Sequence, residues 1–250
     1  MAGVDGGRGA LRALADAAGE SAPRRPGDAE DPAIPVAATV VLLRDGAAGV
    51  EVLMLERPDR GSFAGAWVFP GGRLDDADRR DDDRDDEAPA RRAAARETRE
   101  ESALVVDPAQ LVPLSVWDPP PGLPLRIRTW FFVAADPGGQ VQPSPDEAVA
   151  ARWMRPADAL AAHGRDEMIL YPPTWVTLHG LRDHGDVAGA LAAVRLVGRR
   201  SFETVARRGA EGPLLMWQED GEYDAAAPPG AARHRLEVGA LPWRYTLTPG

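Results

Sequence analysis

Residues Arg96-Glu97-Thr98-Arg99-Glu100-Glu101 constrain this chain more than any other stretch. They set three carboxylates at i, i+3 and i+4. On a helix those positions share one face, with neighbouring Cβ atoms roughly 5–6 Å apart. Like charges at that spacing repel, so a helix gains nothing by collecting them. A hard divalent cation supplies the missing attraction, because it prefers clustered carboxylate oxygens. A solvated acidic face, with Arg96 and Arg99 as partners, is the other reading of the hexapeptide taken alone.

The flanking sequence places that helix. Val36 to Leu43 is an apolar, β-branched run and predicts a buried strand. Arg44-Asp45-Gly46 is a turn signal, and Val50 to Leu55 completes a hairpin. Arg57 to Gly61 reads as a loop. Ala66 to Phe69 reads as a short strand that ends in Pro70-Gly71-Gly72. Nine of the thirteen residues from Asp75 to Glu87 are acidic. With nothing to bury, residues 73–87 are expected to be a solvated, mobile insertion; a metal-binding loop is the weaker alternative. Pro89 suits the first turn of a helix from about Ala88 to Ser102.

Further strands are expected at Val105, Leu111 to Val116, Ile127 to Ala134 and Ala150 to Met154. Helices are expected at Pro156 to Ala162, Pro172 to Arg182 and Val187 to Val197. The tail has strand candidates at Leu214 to Trp217, His234 to Val238 and Trp243 to Leu247. Residues 1–35 read as mostly disordered, with a short helix at Leu11 to Ala18. Strands followed by helices packed against them give an α/β sandwich.

Composition narrows the chemistry. The chain has 250 residues, 44% of them hydrophobic, enough for a real core. Cysteine is absent, which excludes disulfides, thiolate nucleophiles and cysteine metal sites. Lysine is absent too, which excludes a P-loop lysine and Schiff-base chemistry. A net charge of −10 argues against nucleic acid as a partner. Apolar runs fall short of a membrane span and the N-terminus lacks a signal-peptide pattern, so no membrane partner and a cytoplasmic location are expected.

Together, the Phe69-Pro70-Gly71-Gly72 turn and the Arg96 helix resemble the Nudix box, G-x5-E-x7-R-E-U-x-E-E-x-G-U with U apolar. Arg96, Glu97, Thr98, Glu100, Glu101 and Leu104 fit its second half. The distance from Gly72 to the helix is too long for the pattern. Glu87 is one residue out of register for the first box glutamate. Ala103 stands at the box glycine, so that helix end is either strained, by roughly 1 kcal/mol, or built differently.

The likeness covers residues 36–197. Leu53 to Arg57, Gly65 to Gly72, Glu147 to Leu160, Leu170 to Leu178 and the tail around Arg233 to Leu236 and Trp243 to Tyr245 resemble one branch. That branch has a long insertion in the box and includes coenzyme A and acyl-coenzyme A diphosphatases. The arginines ahead of Gly65 match its coenzyme A signature only loosely. The resemblance implies an α/β/α sandwich with a mixed sheet, and residues 198–250 as a C-terminal extension packed on it.

The resemblance also implies a chemistry. Water attacks a phosphorus of a nucleoside diphosphate linked to another group, with Mg²⁺ or Mn²⁺ neutralising charge. Glu97, Glu100, Glu101 and the Gly71 carbonyl are the implied metal ligands. Arg96 orients the carboxylates. Glu147, on a loop before Trp153, or Glu101 itself would activate water. Arg57, Arg60, Trp67 and Gly72 are the expected substrate contacts, and Trp67, Trp130 and Trp175 the tryptophans to seek near an adenine. His179 and His184 are read as surface residues. Coenzyme A-type substrates lead; an ADP-ribose or NADH pyrophosphatase and a catalytically silent nucleotide-binding module are the alternatives. The partner is a small nucleotide diphosphate, with room for a homodimer.

Overall fold

The computed structural model describes residues 24, 27–28, 31–61, 63–123 and 126–250. The expected helix at Leu11 to Ala18 lies outside them. In chain order the first elements are β1 (Val36–Gly46), β2 (Gly49–Glu56), β3 (Trp67–Val68), β4 (Gly71–Arg73) and α1 (Glu87–Ser102). Next come β5 (Val112–Asp118), β6 (Arg128–Ala135), β7 (Ala150–Met154), α2 (Pro156–Gly164), α3 (Pro172–Leu181) and α4 (Val187–Val197). The chain ends in β8 (Arg200–Glu203), β9 (Val205–Gly209), β10 (Gly212–Met216), β11 (Arg233–Glu237) and β12 (Arg244–Thr248).

Among the described residues, an eight-stranded sheet runs β3-β2-β1-β6-β5-β8, with β4 also on β1 and β7 also on β2. The β1–β6 and β5–β8 pairs are parallel and the rest antiparallel, so the sheet is mixed. Strand side chains alternate between faces, and here both faces are covered. Val36, Val40, Leu42, Trp130 and Phe132 pack against Ala90, Ala93 and Ala94 of α1. Val41, Leu43, Phe131 and Val133 pack against Trp175, Leu178, Ala190 and Val194 of α3 and α4. Burial on both faces explains why β1 reads as a continuous apolar run rather than an alternating one. The result is the expected α/β/α sandwich.

The tail forms a four-stranded antiparallel sheet, β12-β11-β10-β9. Leu215, Trp217, Leu236 and Trp243 share the core of the α3–α4 face, where Trp217 meets Trp117 edge-on at 5.7 Å.

Two expectations need correcting. Val105 is in no strand and is 69% exposed, because α1 ends at Ser102 and the chain turns away there. The acidic insertion has a buried anchor: Asp76–Asp78 forms a short 3-10 helix, and Asp78 is buried. Near the N-terminus, Arg24 donates to the Asp118 and Pro119 carbonyls, and Asp28 takes two hydrogen bonds from Arg126. Those two residues of the first 35 are therefore bonded to the ends of β5 and β6. No helix among the described residues is long and apolar enough to cross a membrane.

Candidate metal centre

The buried stripe of α1 changes character along its length. Ala90, Ala93 and Ala94 present small side chains that let the helix lie close to the sheet. The same stripe continues through Glu97, Thr98 and Glu101. Glu101 is only 2% exposed, where a core residue would normally sit. The paired glycines of the turn make room for this. A Cβ on Gly71 would collide with the Ala38 carbonyl of β1. A Cβ on Gly72 would run into the Glu97 carboxylate. The Gly71 amide donates to Glu101 Oε2 at 2.8 Å, and Arg57 Nη1 donates to Glu101 Oε1 at 2.7 Å.

A third carboxylate joins from outside the helix. The loop before β7 docks on the end of α1, where the Ser144 and Gln142 amides donate to the Glu101 and Ser102 carbonyls. Helix ends leave such carbonyls without intrahelical partners. The loop satisfies them and brings Glu147 to the acids. Oxygens of Glu97, Glu101 and Glu147 lie within 4.8 Å of one another. Glu147 Oε2 is buried and has no hydrogen-bond partner.

Electrostatics follow from this crowding. Burial pushes the Glu101 carboxyl up to about 7; the Gly71 amide and Arg57 oppose that rise, and Glu147 and Glu97 add to it. Burial also raises Glu97, against the Arg96 guanidinium beside it. Three close oxygens short of positive charge, with one left unbonded, match what a hard divalent cation requires. The donor set therefore fits a hard divalent cation.

Glu100 stands apart. Its carboxylate is 45% exposed and pairs with Arg96 at 3.1 Å. Arg96 also reaches Glu97 at 2.9 Å, Asp78 at 2.8 Å and the Arg73 carbonyl at 3.0 Å. It thus clamps turn, insertion and helix together. Burial works against the charge of Asp78, but Arg96 and the Asp75 amide outweigh it and hold the carboxyl below its usual range. Asp78 was missed in the sequence. Counted forward from Gly72, it occupies the acidic position of G-x5-E; Glu87, counted back from Arg96, instead starts α1 and pairs with Arg91.

The box glycine position shows the strained alternative. Ala103 caps α1 with φ of 63° and donates its amide to the Arg99 carbonyl.

A family model for the NUDIX domain matches residues 33–195. The chain belongs to the Nudix family. A NUDIX hydrolase from Alicyclobacillus acidocaldarius is similar at 25% identity and a TM-score of 0.57, over 64% of this chain and 96% of that one. The NUDIX domain of Shewanella oneidensis NrtR, solved with ADP ribose, is 19% identical at a TM-score of 0.42, over 54% of this chain and 84% of its own. An Ap4A hydrolase from C. elegans is 23% identical at a TM-score of 0.40, covering 64% and 99%. A comparison with curated proteins returns no match. This Nudix chain is a hydrolase of a family that acts on nucleoside diphosphate derivatives, generally with divalent metals.

The expected substrate contacts scatter in this Nudix domain. Arg57 sits on Glu101 rather than on Glu56 or Asp59. Arg60 is 70% exposed beside Asp146. Trp67, Trp130 and Trp175 are all buried. Trp130 stacks on Phe132, and Trp175 stacks on His179 at 5.1 Å. His179 is therefore packed rather than a free surface group. The His184 carbonyl accepts from the Val50 amide.

Proposed function

We propose that this Nudix hydrolase cleaves the diphosphate of a nucleoside diphosphate linked to a second group, with coenzyme A or an acyl-coenzyme A as the preferred type. The observation that carries the hydrolytic reading is the Glu97–Glu101–Glu147 cluster with its unbonded Glu147 Oε2. A Mg²⁺ or Mn²⁺ ion held there would act as a Lewis acid on the phosphoryl oxygens and acidify water. Glu97 and Glu101 are the principal ligands in this reading, with Glu100 and the Gly71 carbonyl as further ones. Arg96 holds Glu97 in place through its bonds to Asp78 and the Arg73 carbonyl. Glu147 accepts the proton of the attacking water at Oε2. Arg57 and Arg60 meet the substrate phosphates, Arg57 by sharing its guanidinium between Glu101 and a phosphoryl oxygen.

The coenzyme A preference rests on the likeness of Leu53 to Arg57 and Gly65 to Gly72 to that branch. A panel of coenzyme A, acyl-coenzyme A, ADP-ribose and NADH with Mg²⁺ or Mn²⁺ tests both levels. Phosphopantetheine and 3′,5′-ADP as the main products support the coenzyme A reading. AMP with ribose phosphate or NMNH replaces it with the pyrophosphatase alternative. No turnover of any nucleotide by metal-loaded protein would leave only a binding module.

A further inference from the structure

The three tryptophans expected to stack on a base are buried, yet one aromatic ring stands open on the loop that follows Arg57. Phe63 is 41% exposed, and no other Phe, Tyr or Trp among the described residues is exposed. Its φ is +64°, a conformation that L side chains other than Asn and Asp rarely adopt. An apolar ring held in water by an unfavourable backbone conformation calls for a reason outside folding.

Its neighbours tie it to the site. The Ala66 amide donates to the Phe63 carbonyl at 3.0 Å, closing a turn that brings the two Cα atoms within about 7 Å. The Ala66 carbonyl accepts from the Arg57 amide at 2.9 Å, and the Arg57 side chain is bonded to Glu101. Phe63 therefore stands on a loop whose foot is fixed to the carboxylate cluster. On the other side, the Trp67 amide donates to the Ile169 carbonyl at 2.9 Å. That bond sets Tyr171 beside Phe63, with ring centroids 4.7 Å apart and planes at 78°. The edge-on contact supports the Phe63 ring on one side, while the residue stays 41% exposed.

We infer that Phe63, backed by Tyr171, is the platform on which the base of the nucleoside diphosphate stacks, which makes it a specificity-determining residue. The inference rests on the nucleotide reading of the site. A diphosphate lying between Arg57, Arg60 and the cluster leaves its nucleoside end to reach the neighbouring loop. Stacking uses the flat face that every base has, so it selects for a nucleoside without choosing among bases.

The test is calorimetric binding in Mg²⁺ of two non-hydrolysable ligands, adenosine 5′-(α,β-methylene)diphosphate and methylenediphosphonate, which lacks ribose and base. Phe63→Ala should weaken the adenosine compound about tenfold, the size of one base–aromatic stack, and change methylenediphosphonate less than about twofold. Phe63→Trp should keep adenosine-compound affinity near wild type. Parallel losses for both ligands would mean that Phe63 only shapes the loop, and would overturn the inference. So would unchanged adenosine-compound affinity in Phe63→Ala, or wild-type protein that binds both ligands equally. Wild-type hydrolysis of the nucleotide panel, measured beside it, judges the proposed function separately. Protein that hydrolyses nothing yet shows the Phe63 effect would keep the platform and lose the enzyme.

Discussion

Residues 75–87 carry nine carboxylates, and the last two turns of α1 carry three. The insertion disperses its acids. Asp78 meets Arg96, Asp83 meets Arg92 and Asp86 meets Arg79, while Asp81 and Asp82 face water. Arg96 and Asp83 are held charged by these contacts: Arg92 is the leading cause of the lowered Asp83 carboxyl. The helix does the opposite. Glu97 and Glu101 lie against the glycine turn, Glu147 is brought over them, and Arg57 and Arg96 offset only part of the charge. The proposed metal site thus differs from the insertion in burial rather than in density of acidic residues. In the proposed metal site, burial without enough counter-charge would store affinity for a cation, because each carboxylate has already lost water and lacks a full replacement.

The largest test of that contrast is Glu101→Gln, which keeps shape and removes charge. We expect kcat to fall by about 10²-fold or more, the size seen when a principal electrostatic group is removed. The metal-free protein should also change its pH response. The folded Glu101 carboxyl is raised to about 7, above the usual 4.5. Its contribution to stability is fully present below about 4.5 and is lost as pH rises through about 7, on the order of 3 kcal/mol in all. Thermal unfolding in EDTA should show that loss in wild type and a flatter profile in Glu101→Gln. Mg²⁺ should reverse the wild-type trend, since binding requires the ionised acids. A full-activity Glu101→Gln with an unaltered profile would erase the distinction between the two acidic regions.

The helix half of the centre was legible because i, i+3, i+4 spacing is a local property of sequence. So was the Gly71-Gly72 turn, although only the packed sheet shows that one glycine spares the Ala38 carbonyl and the other the Glu97 carboxylate. Asp78 was hidden among eight other acids, and its burial depends on Arg96, eighteen positions away. Strands β8 and β9 were missed because Arg200-Ser-Phe-Glu and Val205-Ala-Arg-Arg-Gly carry few apolar residues. Their pairing partners supply the context: β5 for β8 and β10 for β9. The buried tryptophans show the same limit. Ring type reads from sequence, but exposure is decided by tertiary packing.

A middle-sized effect should come from the one place where the two regions join. Asp78→Ala removes the insertion's buried anchor and leaves Arg96 with Glu97, Glu100, the exposed Asp75 and the Arg73 carbonyl. Lost charge-assisted hydrogen bonds of this kind cost about 1.5–3 kcal/mol. At roughly 2–4 °C per kcal/mol for a domain of this size, the melting temperature should fall by about 3–12 °C. Freed from Asp78, the Arg96 guanidinium draws Glu97 out of position, so kcat should drop about tenfold. Asp78→Asn separates shape from charge: a loss nearly as large would assign the effect to the ion pair. Unchanged stability and activity in Asp78→Ala would mean that the insertion is independent of the centre.

A smaller effect, of opposite sign, is expected at the end of α1. Ala103 holds φ of 63°, which glycine adopts without a Cβ penalty. Ala103→Gly should raise stability by up to about 1 kcal/mol, seen as a rise of roughly 2–4 °C in melting temperature. Glu101 and the loop carrying Glu147 both depend on this helix end, so Mg²⁺ affinity should stay the same or tighten slightly. A fall in stability would show that the alanine methyl packs usefully and that the left-handed cap is not strained.

The smallest expected effect sharpens the comparison most directly. Asp81 and Asp82 lie in the exposed part of the insertion and are not among its ion-paired acids at Asp78, Asp83 and Asp86. Charge separated from the centre by more than about one Debye length, roughly 8 Å at physiological salt, is largely screened. An Asp81→Ser, Asp82→Ser double variant lowers the local negative charge by two while leaving Glu97, Glu101 and Glu147 untouched. Titration with Mg²⁺ at about 0.15 M salt should give an affinity within about twofold of wild type, and thermal stability should move by under about 0.5 kcal/mol, as for ordinary surface changes. If the insertion instead concentrates cations for the centre, affinity should fall several-fold at low salt and the difference should vanish as salt is raised. That salt dependence, rather than the loss alone, is the signature of acids acting as a diffuse field. Its absence would leave burial, and not acidic content, as the property that makes the three glutamates a metal site.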